Sequence, residues 1–336
     1  DFTLYEDGRQ VEIEQFSAFT EWPGKQETQQ PGSSSKGRAS QAPPSHIAVF
    51  IDDLHISSGA RRGVFEQLWD VLKAGLDDRD QVMVARYDGN IEVLLPMSTD
   101  RRALRHVLQD AGQLNSRALT ASLGDDRVLE LIERRHSEEM LTCRRVTGDA
   151  CVDLGFIART HAEQVFQGVQ AAVSEMRVFV NSLAGYPGRK VLLHVSDGIP
   201  LVAGQEAYHY AIELCDGSGS AKGVPNAVNT ATWGAGKYTR WDPATAWAEL
   251  TSFNSTDLWT RLASEANTYQ VSIYTVQASG LGTHGRSEVD RAMTSYQTAT
   301  DAYRNKQDVL FLLADETGGE AILDTNKFKP RFDDMV

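Results

Sequence analysis

Two short apolar runs in this chain end in acid: His46-Ile-Ala-Val-Phe-Ile-Asp52-Asp53 and Lys190-Val-Leu-Leu-His-Val-Ser-Asp197-Gly198. Runs this short and this apolar predict strands buried on both faces of a parallel sheet, and such sheets place ligands at their carboxyl ends. Asp52, Asp53 and Asp197 are therefore expected at one rim. Three carboxylates gathered there repel one another, and either a bound cation or a set of strong hydrogen-bond donors relieves them. The structural alternative is that Asp52 and Asp53 cap backbone amides where strand turns to helix, with Asp197 doing the same beside Gly198. His55 and His194 adjoin the two acid-ended tips, a His/Asp set of the kind that binds transition metals. No third His is placed nearby, however, and His194 reads as a hydrogen-bonded histidine of the core.

Other reactive patterns are weaker. Cys143 and Cys151 bracket a loop-like stretch containing Gly148, which predicts a local disulfide in an oxidising compartment, with Cys215 left odd; three unpaired thiols are the alternative. Neither a second cysteine pair nor a His at ligand spacing supports zinc. The sequence has no Gly-x-Ser-x-Gly elbow or Cys/His arrangement for nucleophilic hydrolysis. Thr317-Gly318-Gly319 lacks the Lys and following helix of a phosphate loop and reads as a helix C-terminus turning into a strand.

These residues need elements to hold them. Residues 1–20 alternate polar and apolar around Glu6-Asp7-Gly8 and predict a β-hairpin, the fragment of a β-module; 21–45 is a Pro-, Gly-, Ser- and Gln-rich linker. From His46 onward strands alternate with helices. Helices are expected over 61–75, 100–111, 125–135, 153–183, 205–214, 257–267 and 288–316, and a hairpin turns around Asp88-Gly89. The pattern predicts a doubly wound, mostly parallel six-stranded α/β sheet in the order 3-2-1-4-5-6, with one antiparallel edge strand and helices on both faces. Insertions interrupt residues 46–336 at about 112–155 and 202–255. The second carries Tyr208, Tyr210, Trp233, Tyr238, Trp241 and Trp247 on a Gly-rich track. These aromatics fit a partner-binding surface, as Trp and Tyr dominate binding hot spots, or a small core pinning a long loop to the sheet.

The chain has 336 residues, 41% of them hydrophobic, enough for one large core with an appendage. Its formal charge of -13, with no basic cluster, argues against a nucleic-acid partner. No stretch is apolar over the length of a membrane span. Because the chain opens on Asp1 and not Met, an upstream piece is expected to have been removed.

Five stretches in order then resemble the von Willebrand factor A (VWA) family, and within it a VWA-related subgroup of exported bacterial proteins. They are Asp1-Phe-Thr-Leu-Tyr-Glu-Asp-Gly, Val49-Phe-Ile-Asp-Asp-Leu, Gly188-Arg-Lys-Val-Leu-Leu-His-Val-Ser-Asp-Gly, Val271-Ser-Ile-Tyr-Thr-Val and Leu313-Ala-Asp-Glu-Thr-Gly-Gly. The resemblance implies a Rossmann-like fold, an extracytoplasmic location (periplasmic or extracellular) and a further β-module after the last strand. It also implies a metal-ion-dependent adhesion site for Mg²⁺ or Ca²⁺, patterned Asp-x-Ser-x-Ser with a distant Thr and Asp. Asp52 and Asp197 match the two acids, but Leu54 and Ile56 stand where the Ser residues belong. A frame one residue later offers Asp53, His55 and Ser57. The candidate ligands are thus Asp52, Asp53, Ser57 and Asp197 of a degenerate site; the Cys-bracketed insertion occupies the region of the Thr loop, and Thr160 falls within a predicted helix.

The functional expectation is a non-catalytic protein-protein interaction or adhesion module that binds another protein, with Trp233, Tyr238, Trp241 and Trp247 as contacts. A structural subunit of a larger extracytoplasmic assembly and a divalent-metal hydrolase or phosphotransfer enzyme using the acid cluster are the alternatives.

Overall fold

The computed structural model describes residues 4–6, 9–11, 44–56, 61–113, 127–138, 148–215, 243–279 and 296–325. Strands β1 (Leu4–Glu6) and β2 (Arg9–Val11) pair antiparallel as the expected hairpin. The main sheet comprises β3 (His46–Asp52), β4 (Gln81–Tyr87), β5 (Ile91–Ser98), β6 (Lys190–Ser196), β7 (Val271–Gln277) and β8 (Ala321–Ile322), in the order β5-β4-β3-β6-β7-β8. Counted from its own first strand this is 3-2-1-4-5-6, and every pair is parallel except β4 with β5. The antiparallel turn closes at Gly89, whose φ of 107° lies where an L side chain is strained.

The described helices are α1 (Arg61–Gly75), α2 (Arg101–Gln113), α3 (127–138), α4 (Gly148–Leu183), α5 (Gln205–Cys215), α6 (Pro243–Leu250), α7 (Thr256–Thr268) and α8 (Tyr296–Glu316). Every residue of β3 is buried, which explains its unbroken apolar run. The strand's two-residue period divides it between layers. Ile47, Val49 and Ile51 pack with Val64, Leu68 and Leu72 of α1 and Leu104 and Leu108 of α2. Ala48 and Phe50 face Val173, Met176 and Val180 of α4, Trp259 of α7 and Leu313 of α8.

Helix α4 has 36 residues, about 54 Å at 1.5 Å per residue, whereas the seven-residue β6 that follows spans about 23 Å. Since the end of α4 leads into the start of β6, its other end must stand well past the sheet's carboxyl edge. That overhang is the spine of a second core, a helical annex. There Leu154, Ala158 and Ala162 of α4 pack with Ala207, Tyr208 and Ala211 of α5, Leu129 and Ile132 of α3, and Ala246 and Leu250 of α6.

The spacing of α4 against α5 is regular. Gly204 just before α5 sits so close to α4 that an added Cβ would lie 2.6 Å from the Ala162 Cβ. Eleven residues along α5, and eleven back along α4, Cys215 is disulfide-bonded to Cys151 with Cα atoms 5.8 Å apart. Two antiparallel helices thus lie together along an alanine seam, held at one end by a glycine contact and at the other by a disulfide. This corrects the expected Cys143–Cys151 bridge. Cys151 takes a partner 64 residues away because antiparallel helix packing, invisible in local spacing, brings Cys215 to it. Cys143 lies outside the described residues. No described helix is long and apolar enough to cross a membrane.

Candidate functional site

The rim is built where β3 and β6 end side by side. Their register pairs Ile51 with Val195, so the next residues, Asp52 and Ser196, emerge as neighbours. Ser196 donates its hydroxyl to Asp52 Oδ2 at 2.9 Å, and His55 Nδ1 lies 2.8 Å from Asp52 Oδ1 and 2.9 Å from Oδ2. An ionised carboxylate only accepts, so Nδ1 carries the proton here. Asp52 is 1% exposed. Burial opposes its charge, but the imidazoles of His55 and His194 beside it hold the carboxyl well below the usual carboxylate range.

Asp53 turns the other way. Its carboxylate forms a buried ion pair with the Arg61 guanidinium, while Arg61 Nε donates to the Ala111 carbonyl at the end of α2 at 2.7 Å. One arginine therefore neutralises Asp53, caps α2 and joins both helices of that layer to the rim. Asp197 Oδ1 accepts the Ser279 N–H at 2.5 Å, and the Asp197 N–H donates to the His55 carbonyl at 2.7 Å. The acids are thus gathered at one end of the sheet, each held by protein donors. Ser57 lies outside the described residues. Thr160 is inside α4, its hydroxyl donating to the Phe156 carbonyl at 2.9 Å.

His194 departs from expectation. It is fully buried against Phe50, with ring centroids 5.8 Å apart, but among the described residues neither ring nitrogen has a hydrogen-bond partner. Its Nε2 stands 3.9 Å from Asp52 Oδ2, beyond hydrogen-bond reach. Among the described residues no group of three or more His, Cys, Asp or Glu side chains is disposed to hold a metal ion.

The reading of the rim missed Arg61 and Ser196. Both carried a signal: Arg61 shares the three-to-four spacing of Val64, Phe65 and Leu68 and so falls on the buried face of α1, and Ser196 alternates in phase with His194. Of the insert's aromatics, Tyr208 and Tyr210 are buried in the annex core, the tyrosine hydroxyl of Tyr210 bonded to Glu133. Trp247 is 48% exposed, its ring 4.8 Å from that of His209. Trp233, Tyr238 and Trp241 lie outside the described residues.

No protein-family model and no curated protein matches the chain. Among solved structures, it is similar to an aerotolerance-related membrane protein from Bacteroides fragilis, at 9% identity and a TM-score of 0.34 over 86% of this chain and 97% of the other. It is likewise similar to BatB from Bacteroides thetaiotaomicron, at 12% and 0.35 over 87% and 97%. A third similarity is to the PilB minor pilin of Streptococcus sanguinis, at 12% and 0.38 over 89% and 62%. At these scores the likenesses carry no argument about function.

Proposed function

We propose that this chain is a VWA-like, non-catalytic interaction or assembly module of an exported protein, and that its partner, another protein, docks on the helical annex. One observation carries this reading. Of the seven large apolar side chains exposed among the described residues, Leu131, Val152, Phe156 and Trp247 all belong to the annex. Val152 and Phe156 are one turn apart and share a face of α4. The Arg135 guanidinium donates to Asp153, next to Val152, and Leu131 lies one turn before Arg135 on α3, so both helices contribute to the same region. Clustered exposed apolar groups mark interaction sites, and an exposed Trp is the commonest anchor. On sequence grounds Trp233, Tyr238 and Trp241 are proposed to join them.

The Cys151–Cys215 bridge supports export to an oxidising compartment. Rim acids bound to internal donors support a scaffold over a hydrolytic or phosphotransfer centre, whose carboxylates must reach a substrate. A photo-crosslinking residue at position 156 tests the reading. It is expected to capture a discrete protein in envelope extract of the source organism, with capture lost on Trp247→Ala and absent from position 178 on the sheet-packed half of α4. Equal capture from both positions, or none from 156, would overturn it.

A further inference from the structure

We infer that internal hydrogen-bond donors close the carboxyl rim in the place where a VWA-like domain is expected to hold a divalent cation, so that partner binding is independent of metal; this rests on the function proposed above. The donor set argues against a hard cation, which needs several oxygens pointing at one centre with their lone pairs available. Asp52 is buried, and its two oxygens accept from His55 Nδ1 and the Ser196 hydroxyl. Asp53 is committed to Arg61, a charge-assisted bond between two groups that are almost wholly buried. Asp197 accepts a backbone N–H from Ser279, beyond the end of β7.

The two apolar residues that stand where hydroxyl ligands belong are turned into the cores. Ile56 is fully buried in the core between β3 and α1, and Leu54 packs against the opposite core. Leu54 and Ile56 instead anchor the loop on both sides of the sheet. His55 contributes twice: its ring satisfies Asp52, and its carbonyl accepts the Asp197 N–H at 2.7 Å, which ties the end of β6 to the end of β3. Asp52 thus keeps its charge through protons already on the protein. The lock needs no ion to relieve the repulsion that three gathered acids would otherwise produce.

A cation site and a lock respond with opposite sign to Asp52→Asn in chelating buffer. An emptied cation site is relieved by losing a negative charge, and its Tm rises or stays unchanged. A lock loses its charge and one of its two acceptor oxygens, an NH2 group now facing either His55 Nδ1–H or the Ser196 hydroxyl, and its Tm falls by several degrees. Two measurements on the wild-type chain accompany the melt: a Mn²⁺ titration followed by electron paramagnetic resonance, and the position-156 cross-link with and without EDTA. The inference expects a lowered Tm, no saturable Mn²⁺ binding at or below about millimolar concentration, the weak end of extracellular Ca²⁺ sites, and a cross-link indifferent to EDTA. A raised or unchanged Tm, stoichiometric Mn²⁺ binding lost in Asp52→Asn, or a cross-link abolished by EDTA would each overturn it. Absence of the cross-link in both buffers would refute the annex as docking surface, while the melt and the Mn²⁺ titration would still decide the lock.

Discussion

Replacing Cys151 and Cys215 together by Ser is expected to destabilise the whole fold and not the annex alone. The bridge closes a loop of 64 residues in sequence separation, and that loop contains β6, a central strand of the sheet. Releasing a loop of that length returns about 4 kcal/mol of chain entropy to the unfolded state at 25 °C. Compact denatured chains reduce the figure, so roughly 2–4 kcal/mol is expected. Because β6 pairs with both β3 and β7, the unfolded chain gains this freedom only when the sheet itself opens. The double variant should keep its far-ultraviolet circular dichroism and unfold in urea at a lower midpoint with an unchanged native baseline. Peptide mapping of unreduced protein should recover Cys151 joined to Cys215 and an alkylatable Cys143. A Cys143–Cys151 peptide, or an unchanged urea midpoint, would refute the argument.

Arg61→Leu strands the buried Asp53 carboxylate and is expected to cost about 3–5 kcal/mol, with part of the loss recovered when Asp53→Asn is added; an additive double variant in urea titrations would show that the two are not coupled. Gly204→Ala combines a positive φ of 69° with a clash against Ala162 and is expected to cost roughly 2–4 kcal/mol by the same assay, whereas a neutral result would mean that α5 is not seated on α4 as described. The Asp52 carboxyl is held below its unfolded value of about 4, so its contribution is present above that pH and disappears as pH falls toward the folded value. Tm should therefore hold steady down to about pH 5 and then decline, with a shallower decline in Asp52→Asn; equal slopes would show that Asp52 carries no special stabilisation.

The sheet was legible because each strand obeys a strong local rule. β3 and β6 read as continuous apolar runs, Asp88-Gly89 marked the antiparallel turn between β4 and β5, and chain order with right-handed crossovers left few topologies to choose among. The rim was half legible. Carboxylates at strand ends are visible in the sequence, but their partners come from α1 through Arg61, from the neighbouring strand through Ser196 and from the loop after β7 through Ser279. Those contacts depend on register between separated segments. Cysteine pairing failed for the same reason: seven residues between Cys143 and Cys151 suggest a local loop, whereas Cys215 reaches Cys151 only once α5 lies antiparallel on α4. That the nitrogens of His194 find no partner among the described residues also could not be foreseen, since burial follows from the strand pattern but hydrogen bonding depends on the neighbours.

Hydrogen exchange on the isolated complex with its partner tests the central claim most directly. If the annex is the docking surface, amides in 127–138, the first half of α4 and 243–250 gain protection on binding, while those of α1, α2 and the outer face of α8 around Phe311 exchange as in the free chain. Protection confined to α1, α2 or the β5 edge, with the annex unchanged, would contradict it.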